Sequence, residues 1–182
     1  EHQIKTDADS LGFWGKDWTK HFEPNASAIV FPKSTQQVQA IVKLCNQLNI
    51  VITLSGGRTG LSAGAVAANG EVVISLDKMH KVLNLYPADR MVHVEAGMVT
   101  KALQDFAEEQ GLYYPVDFAS AGSSQIGGNI GTNAGGIKVI KYGMTRNWIL
   151  GMTVVTGKGD ILHLNKGMMK NATGYDFRHL FV

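Results

Sequence analysis

The chain has 182 residues, 45% hydrophobic and 18% charged, with a formal net charge of +2, enough to bury a core as one domain or as two small lobes sharing a ligand. No block of consecutive Lys or Arg offers a nucleic-acid or membrane-surface patch, and no apolar run approaches the roughly 20 residues of a membrane span. The single Cys45 excludes an internal disulfide and suits a reducing, cytoplasmic compartment.

The opening EHQIKTDADS lacks the basic and apolar regions of a signal peptide; Glu1 is not an initiator Met and the closing HLFV has no following Gly, Pro or polar cap, so both ends read as cuts within a longer protein. Residues Ala28 to Phe31 predict a short strand closed by Pro32, and Ser34 with Gln37 predicts a capping box opening a helix. In that helix Val38, Ile41, Val42, Cys45 and Leu48 recur at helical spacing and are expected on one buried face. The β-branched run Ile50 to Leu54 predicts a strand feeding SGGRTGLSAG, and Val72 to Leu76 predicts another. Alternation in Lys81 to Tyr86 and Met91 to Glu95 predicts two strands joined through Pro87-Ala88-Asp89, followed by a helix from about Thr100 to Gln110 that turns Leu103, Phe106 and Ala107 inward and stops at Gly111. From Pro115 the chain reads as a long glycine-rich loop, and Trp148 to Thr156 then pairs with Ile161 to Leu164 as a hairpin across Gly157-Lys158-Gly159-Asp160. The class is mixed α+β, with βαβ character early.

Two segments hold eleven of the 21 glycines: Ser55 to Gly64 and Pro115 to Gly143. Glycine costs backbone entropy and adds nothing to a core, so such density asks for positive φ or close approach of main chain to a ligand. Main-chain N–H groups in tight turns form anion-binding concavities, which points to a phosphate-bearing ligand long enough to touch both segments.

Gly60-Leu61-Ser62-Ala63-Gly64 matches the G-x-S-x-G pattern of a hydrolase nucleophile elbow, but loop residues precede it and AVAANGE after it makes a poor helix, so a hydrolase is set aside. No G-x-G-x-x-G occurs, and Gly157-Lys158 is followed by glycine where a phosphate-loop ATPase needs Ser or Thr. His80, His93, His163 and His179 stand apart without metal spacing, and a structural role is expected for His93. Arg58 is either a solvated loop residue or a contact to pyrophosphate or substrate through its guanidinium fork. Asn129, Thr132 and Asn133, set among glycines, could cap turns or hold phosphate, ribose or a ring edge, and the context favours the ligand.

The order of SGGRTGLSAG after a strand, VHVEAG before a helix, PVDFASAGSSQIGGNIGTNAGG, YG and a VVTGKGDIL hairpin resembles the FAD-linked oxidases, the vanillyl-alcohol oxidase or PCMH-type flavoproteins. The likeness runs from about Asp17 to Val182 and is strongest toward D-2-hydroxyacid dehydrogenases, the D-lactate, glycolate and D-2-hydroxyglutarate enzymes. The resemblance implies an FAD domain of two α+β lobes, about 20–86 and about 87–182, with FAD between them. It implies that Ser55, Gly56, Gly57, Arg58, Thr59, Gly60, Leu61, Gly64 and Ala65 cradle the pyrophosphate. It also implies that Pro115, Asp117, Ser123, Ser124, Gly127, Gly128, Asn129, Gly131, Thr132, Asn133, Ala134 and Gly136 run along the pyrophosphate, ribityl chain and flavin ring, with Tyr142 and Gly143 closing that wall.

Relatives with covalent flavin often carry a histidine where this chain has Arg58, so noncovalent FAD is expected. In the family a further FAD segment and a substrate cap, which brings the catalytic histidine and in some members a divalent metal, follow the part matched here. No catalytic residue and no metal ligand is therefore assigned, and the piece alone is expected to be inactive and to hold FAD weakly or not at all. The implied partners are a small 2-hydroxyacid and an unspecified electron acceptor, with no nucleic acid, no transmembrane segment, and peripheral membrane association of a longer protein left open. The alternatives are an FAD-dependent oxidase or reductase acting on another alcohol, a sugar or a cell-wall precursor, and a non-enzymatic nucleotide-binding module. The proposal requires Ser55–Ala65 and Ser123–Gly136 to share one cleft.

Overall fold

The computed structural model describes residues 3–182. In chain order the elements are β1 (Ile4–Lys5), α1 (Ala8–Trp14), β2 (Ala28–Val30), α2 (Thr35–Gln47), β3 (Ile52–Ser55), β4 (Val72–Ser75), β5 (Val82–Tyr86), β6 (Met91–Val94) and α3 (Thr100–Glu109). They continue with α4 (Ile126–Gly131), α5 (Val139–Tyr142), β7 (Met152–Val155) and β8 (Ile161–Leu164), with 3₁₀ turns at Thr145–Trp148 and Phe177–Leu180.

A four-stranded sheet has the order β1-β2-β4-β3, with β1 antiparallel to β2 and the other three strands parallel. Ile29, Val73 and Ile74 are fully buried within it; Ile29 and Val73 form one cluster with Ala26, Phe31 and Ala67, covered by Leu11 and Trp14 of α1. Ser34 caps α2 as its sequence signature predicts, accepting from the Gln37 N–H at 3.2 Å, while the Gln37 side chain accepts from the Lys33 N–H at 2.8 Å rather than returning to Ser34 itself. Val42 and Cys45 are buried on the inner face of α2, and Val38 and Ile41 are half-buried. Leu48 departs from the expected stripe and is 58% exposed, because the helix ends at Gln47 and Asn49, at φ 54, swings the chain away.

A second core, Met98, Leu103 and Ile126, lies between the β5–β6 hairpin, α3 and α4, with Val82, Val92, Val94, Tyr114 and Ile130 packed around it. The β7–β8 hairpin closes through the Thr156 N–H to the Asp160 carbonyl at 2.9 Å, and its turn docks on α2. There Gln39 and Asn46 donate to the carbonyls of Gly159 and Gly157 at 2.6 and 2.8 Å. Three expectations shift. β7 begins at Met152 rather than Trp148, because Thr145–Trp148 winds into a 3₁₀ turn held by the Trp148 indole donating to the Tyr142 carbonyl at 2.9 Å. The segment expected to be one long loop contains α4 and α5, and β1 and α1 precede the first predicted element. Among the described residues no helix is long and apolar enough to cross a membrane.

Candidate functional site

β3 and β4 run parallel in a register that places Ser55 opposite Ser75, so the loop after β3 and the turn after β4 leave the sheet at the same edge. The carboxyl ends of parallel strands are where open α/β sheets gather ligand loops. The loop after β3 forms no secondary element through residue 65 other than bends and a turn, and Arg58 and Ala63 adopt left-handed backbone at φ 59. Among the described residues, no N–H group from Gly57 to Ala65 finds a protein acceptor, and Val66 is the first to donate, to the Ala63 carbonyl at 3.1 Å. A run of unpaired amides on curved backbone can receive an anion.

The second glycine segment comes directly against this loop. A Cβ on Gly57 would stand 2.2 Å from the Ser123 carbonyl oxygen and 2.7 Å from Ser124 Cα, so only glycine permits the two main chains to approach this closely. Gln125 Oε1 lies 3.5 Å from where a Gly56 Cβ would be. The two glycine segments therefore meet on one side of the molecule, where 56–57 packs against 123–125.

The rest of the second segment is folded against protein. Ser124 is buried, with its hydroxyl 2.8 Å from that of Thr100, and Asn129 donates to the same Thr100 oxygen at 2.6 Å. These bonds fix α4 on the start of α3, which has no side-chain cap of its own. Gly127, Gly128 and Gly131 lie within α4, and the Gly127 N–H donates to the Ala96 carbonyl at 2.7 Å. Thr132 donates to the Gly128 carbonyl at 3.0 Å. Asn133, at φ 46, accepts from the Arg146 N–H at 3.0 Å, and the Ala134 carbonyl accepts from the Thr145 hydroxyl at 2.8 Å.

At the far end Pro115 is buried and Asp117 pairs with Lys138 at 2.9 Å, a contact that lowers the Asp117 pKa. Gly136 sits where a Cβ would stand 1.9 Å from the Asp117 carbonyl oxygen. The Tyr142 ring meets Tyr113 edge-on at 5.8 Å, and Gly143 turns with φ 78 beside Asn147. Thus Gly56 and Gly57 meet Ser123–Gln125 directly, Asp117 meets Gly136 and Lys138, and the chain through α4 joins the two clusters. On the open side Leu61 is 74% exposed, and Gly60, Gly64, Gly128 and Gly131 meet no backbone where a Cβ would stand.

Arg58 turns inward. Its guanidinium donates to the Gly56 carbonyl at 2.8 Å, pairs with Asp77 at 3.5 Å, and stacks over the Phe13 ring at 4.6 Å. Asp77 also accepts from the Trp14 indole and from the Gln125 amide, each at 2.7 Å. Sequence reasoning singled out neither Asp77 nor Gln125. Asp77 sits two residues past a parallel strand, and Gln125 lies inside the second glycine segment, but only the fold brings them together. Ser62 is exposed, and bends and a turn follow it where a nucleophile elbow needs a helix. Among the described residues no three His, Cys, Asp or Glu cluster as metal ligands.

Residues 26–165 match the FAD binding domain family. D-2-hydroxyglutarate dehydrogenase of Stutzerimonas stutzeri is 68% identical over 99% of this chain, which spans 39% of that relative. D-lactate dehydrogenase of Anaerostipes hadrus is 39% identical over 96% of this chain and 35% of its own length. The chain thus spans somewhat over a third of the curated relatives it matches. Among solved structures, an alkyldihydroxyacetonephosphate synthase superposes with a TM-score of 0.85 at 22% identity, over 98% of this chain and 37% of the other. p-Cresol methylhydroxylase with substrate bound gives 0.75 at 23% identity, over 98% and 37%. These structures share the PCMH-type FAD-binding fold with this chain.

Proposed function

Since the chain belongs to the FAD binding domain family, we propose that it is the FAD-binding portion of a flavin-dependent D-2-hydroxyacid dehydrogenase. The observation that carries this reading is the run of unpaired amides from Gly57 to Ala65, closed on one side by the main chain of Ser123 and Ser124. A diphosphate is a doubly charged acceptor without donors of its own, and a row of N–H groups on fixed backbone complements it with no charged side chain required. The open space at Gly64 lets such a ligand reach the main chain. The two hydrophobic cores support a two-lobe reading in which the β5–β6 hairpin goes with the second core, so the boundary would fall before Val82 rather than at 86/87, and the cofactor would lie across the seam, with Gly128–Ala134 and Tyr142–Gly143 along its length.

Hydride acceptance is the chemistry that FAD supplies in such enzymes. The residues of this chain bind and orient: the first loop holds the anionic bridge, and α4 with its Thr100 anchor keeps the second segment at a fixed distance from it. Relatives named D-2-hydroxyglutarate and D-lactate dehydrogenases favour a small 2-hydroxyacid as substrate and a separate electron acceptor. Noncovalent attachment is part of the proposal, since a guanidinium engaged with Asp77 and the Gly56 carbonyl is no nucleophile. Burial raises the Cys45 thiol pKa, which keeps this thiol in its unreactive protonated form.

The test is anaerobic. The full-length protein that contains this chain, once purified, should take up FAD stoichiometrically, release it on acid precipitation, and show bleaching of the visible flavin band with D-2-hydroxyglutarate or D-lactate. Absence of flavin binding would overturn the FAD reading, and binding without bleaching by any D-2-hydroxyacid would overturn the substrate class.

A further inference from the structure

We infer that Asp77 is a positioning residue for the cofactor loop, and that Arg58 acts as a strut holding the loop's main chain rather than as a ligand to phosphate. The inference rests on the FAD reading above.

Arg58 stands near the start of the amide run, where a guanidinium facing the ligand would be the ready assumption. Its contacts point the other way. The side chain folds back to donate to the carbonyl two residues earlier, at 2.8 Å, lies 4.6 Å over the Phe13 ring, and meets the Asp77 carboxylate at 3.5 Å. A charge stacked on one face and opposed by a carboxylate is already compensated. Meanwhile its backbone is left-handed at φ 59, a strained state for a non-glycine residue that persists where surrounding contacts enforce it. The strut supplies that enforcement, and the curvature it fixes is what aims the neighbouring amides outward.

Asp77 holds the other end. Its two oxygens receive the Trp14 indole, the Gln125 amide and the Arg58 guanidinium, so one carboxylate ties α1, the first loop and the second glycine segment together. Gln125 is 6% exposed, and with its nitrogen committed to Asp77 its oxygen faces Gly56. Removing the carboxylate's charge therefore loosens both walls of the seam at once, without touching a ligand-facing group.

The experiment measures FAD affinity of the apoprotein by titration for Asp77→Asn, Arg58→Met and the double variant, each at two ionic strengths, with apoprotein melting recorded alongside. Asp77→Asn should weaken FAD about tenfold, Arg58→Met should weaken it by a similar factor, and the double variant should be no more than about twofold worse than Arg58→Met. The salt dependence of Arg58→Met should match that of the parent, because no guanidinium–phosphate contact has been lost. If Asp77→Asn binds FAD as well as or better than the parent, while Arg58→Met loses affinity and flattens the salt dependence, Arg58 is a phosphate ligand and the inference is overturned. Should Asp77→Asn fail to fold, the salt dependence of Arg58→Met decides alone. Failure of the parent to bind FAD sinks the proposed function and this inference with it, whereas tight binding by the parent and unchanged binding by both single variants sinks only the inference.

Discussion

The two glycine segments have nearly the same composition and use it for opposite ends. In residues 57–65 the main-chain N–H groups are left without protein acceptors, although the Gly60 and Ala63 carbonyls accept from Trp18 and Val66. In residues 123–136 most of the main chain is consumed by α4 and its neighbours, and the polar side chains of Ser124, Asn129 and Asn133 bond to other parts of the protein. One segment supplies the concavity, and the other supplies a rigid wall. Glycine density alone therefore marks places where backbone must come close to something; whether that is a ligand or another stretch of protein depends on which groups remain unpaired.

Replacing Gly57 with Ala attacks both segments where they touch. Its Cβ would stand 2.2 Å from a carbonyl oxygen belonging to the backbone, which cannot rotate aside. We expect a stability loss of about 3 kcal/mol or more and no measurable FAD binding, by denaturant melts and flavin titration. Asn129→Ala probes the wall alone: losing the buried bond to Thr100 should cost about 2 kcal/mol in the same melts. Gly64→Ala sharpens the contrast, because its Cβ meets nothing within 4 Å. Stability should stay within about 0.5 kcal/mol of the parent while FAD affinity falls severalfold. If affinity is untouched, the loop's open side is not the ligand side.

The smallest expected effect concerns the ion pair at the far end of the wall. Lys138 holds the Asp117 pKa below its ordinary value, so the pair's contribution is complete above the usual carboxylate range and is lost as pH falls through the lowered value. Lys138→Met should therefore melt slightly below the parent at neutral pH, with the gap closing in acid. A gap that widened on acidification would contradict the assignment.

Much of the frame was legible in the chain. The Ser34 cap, the β-branched run before the first loop, the alternation across Val82–Tyr86 and Met91–Val94 and the turn at Gly157–Asp160 are each set by residues within a few positions of one another, as steric and hydrogen-bonding preferences of neighbours require. α4 was hidden because Ile126–Gly131 carries three glycines and little helical period; it is helical because Asn129 and Ile126 are anchored on α3 and its core.

What sequence alone determined was that main chain must approach something at two places and that β3 delivers the first of them to a strand end. What the tertiary structure decided was the direction of each contact: Arg58 inward to Asp77, Gln125 across to the same carboxylate, Gly57 against Ser123. Those partners are 19, 48 and 66 residues apart in the chain. No local preference encodes such pairs, because they exist only where segments far apart in the chain meet in the folded structure.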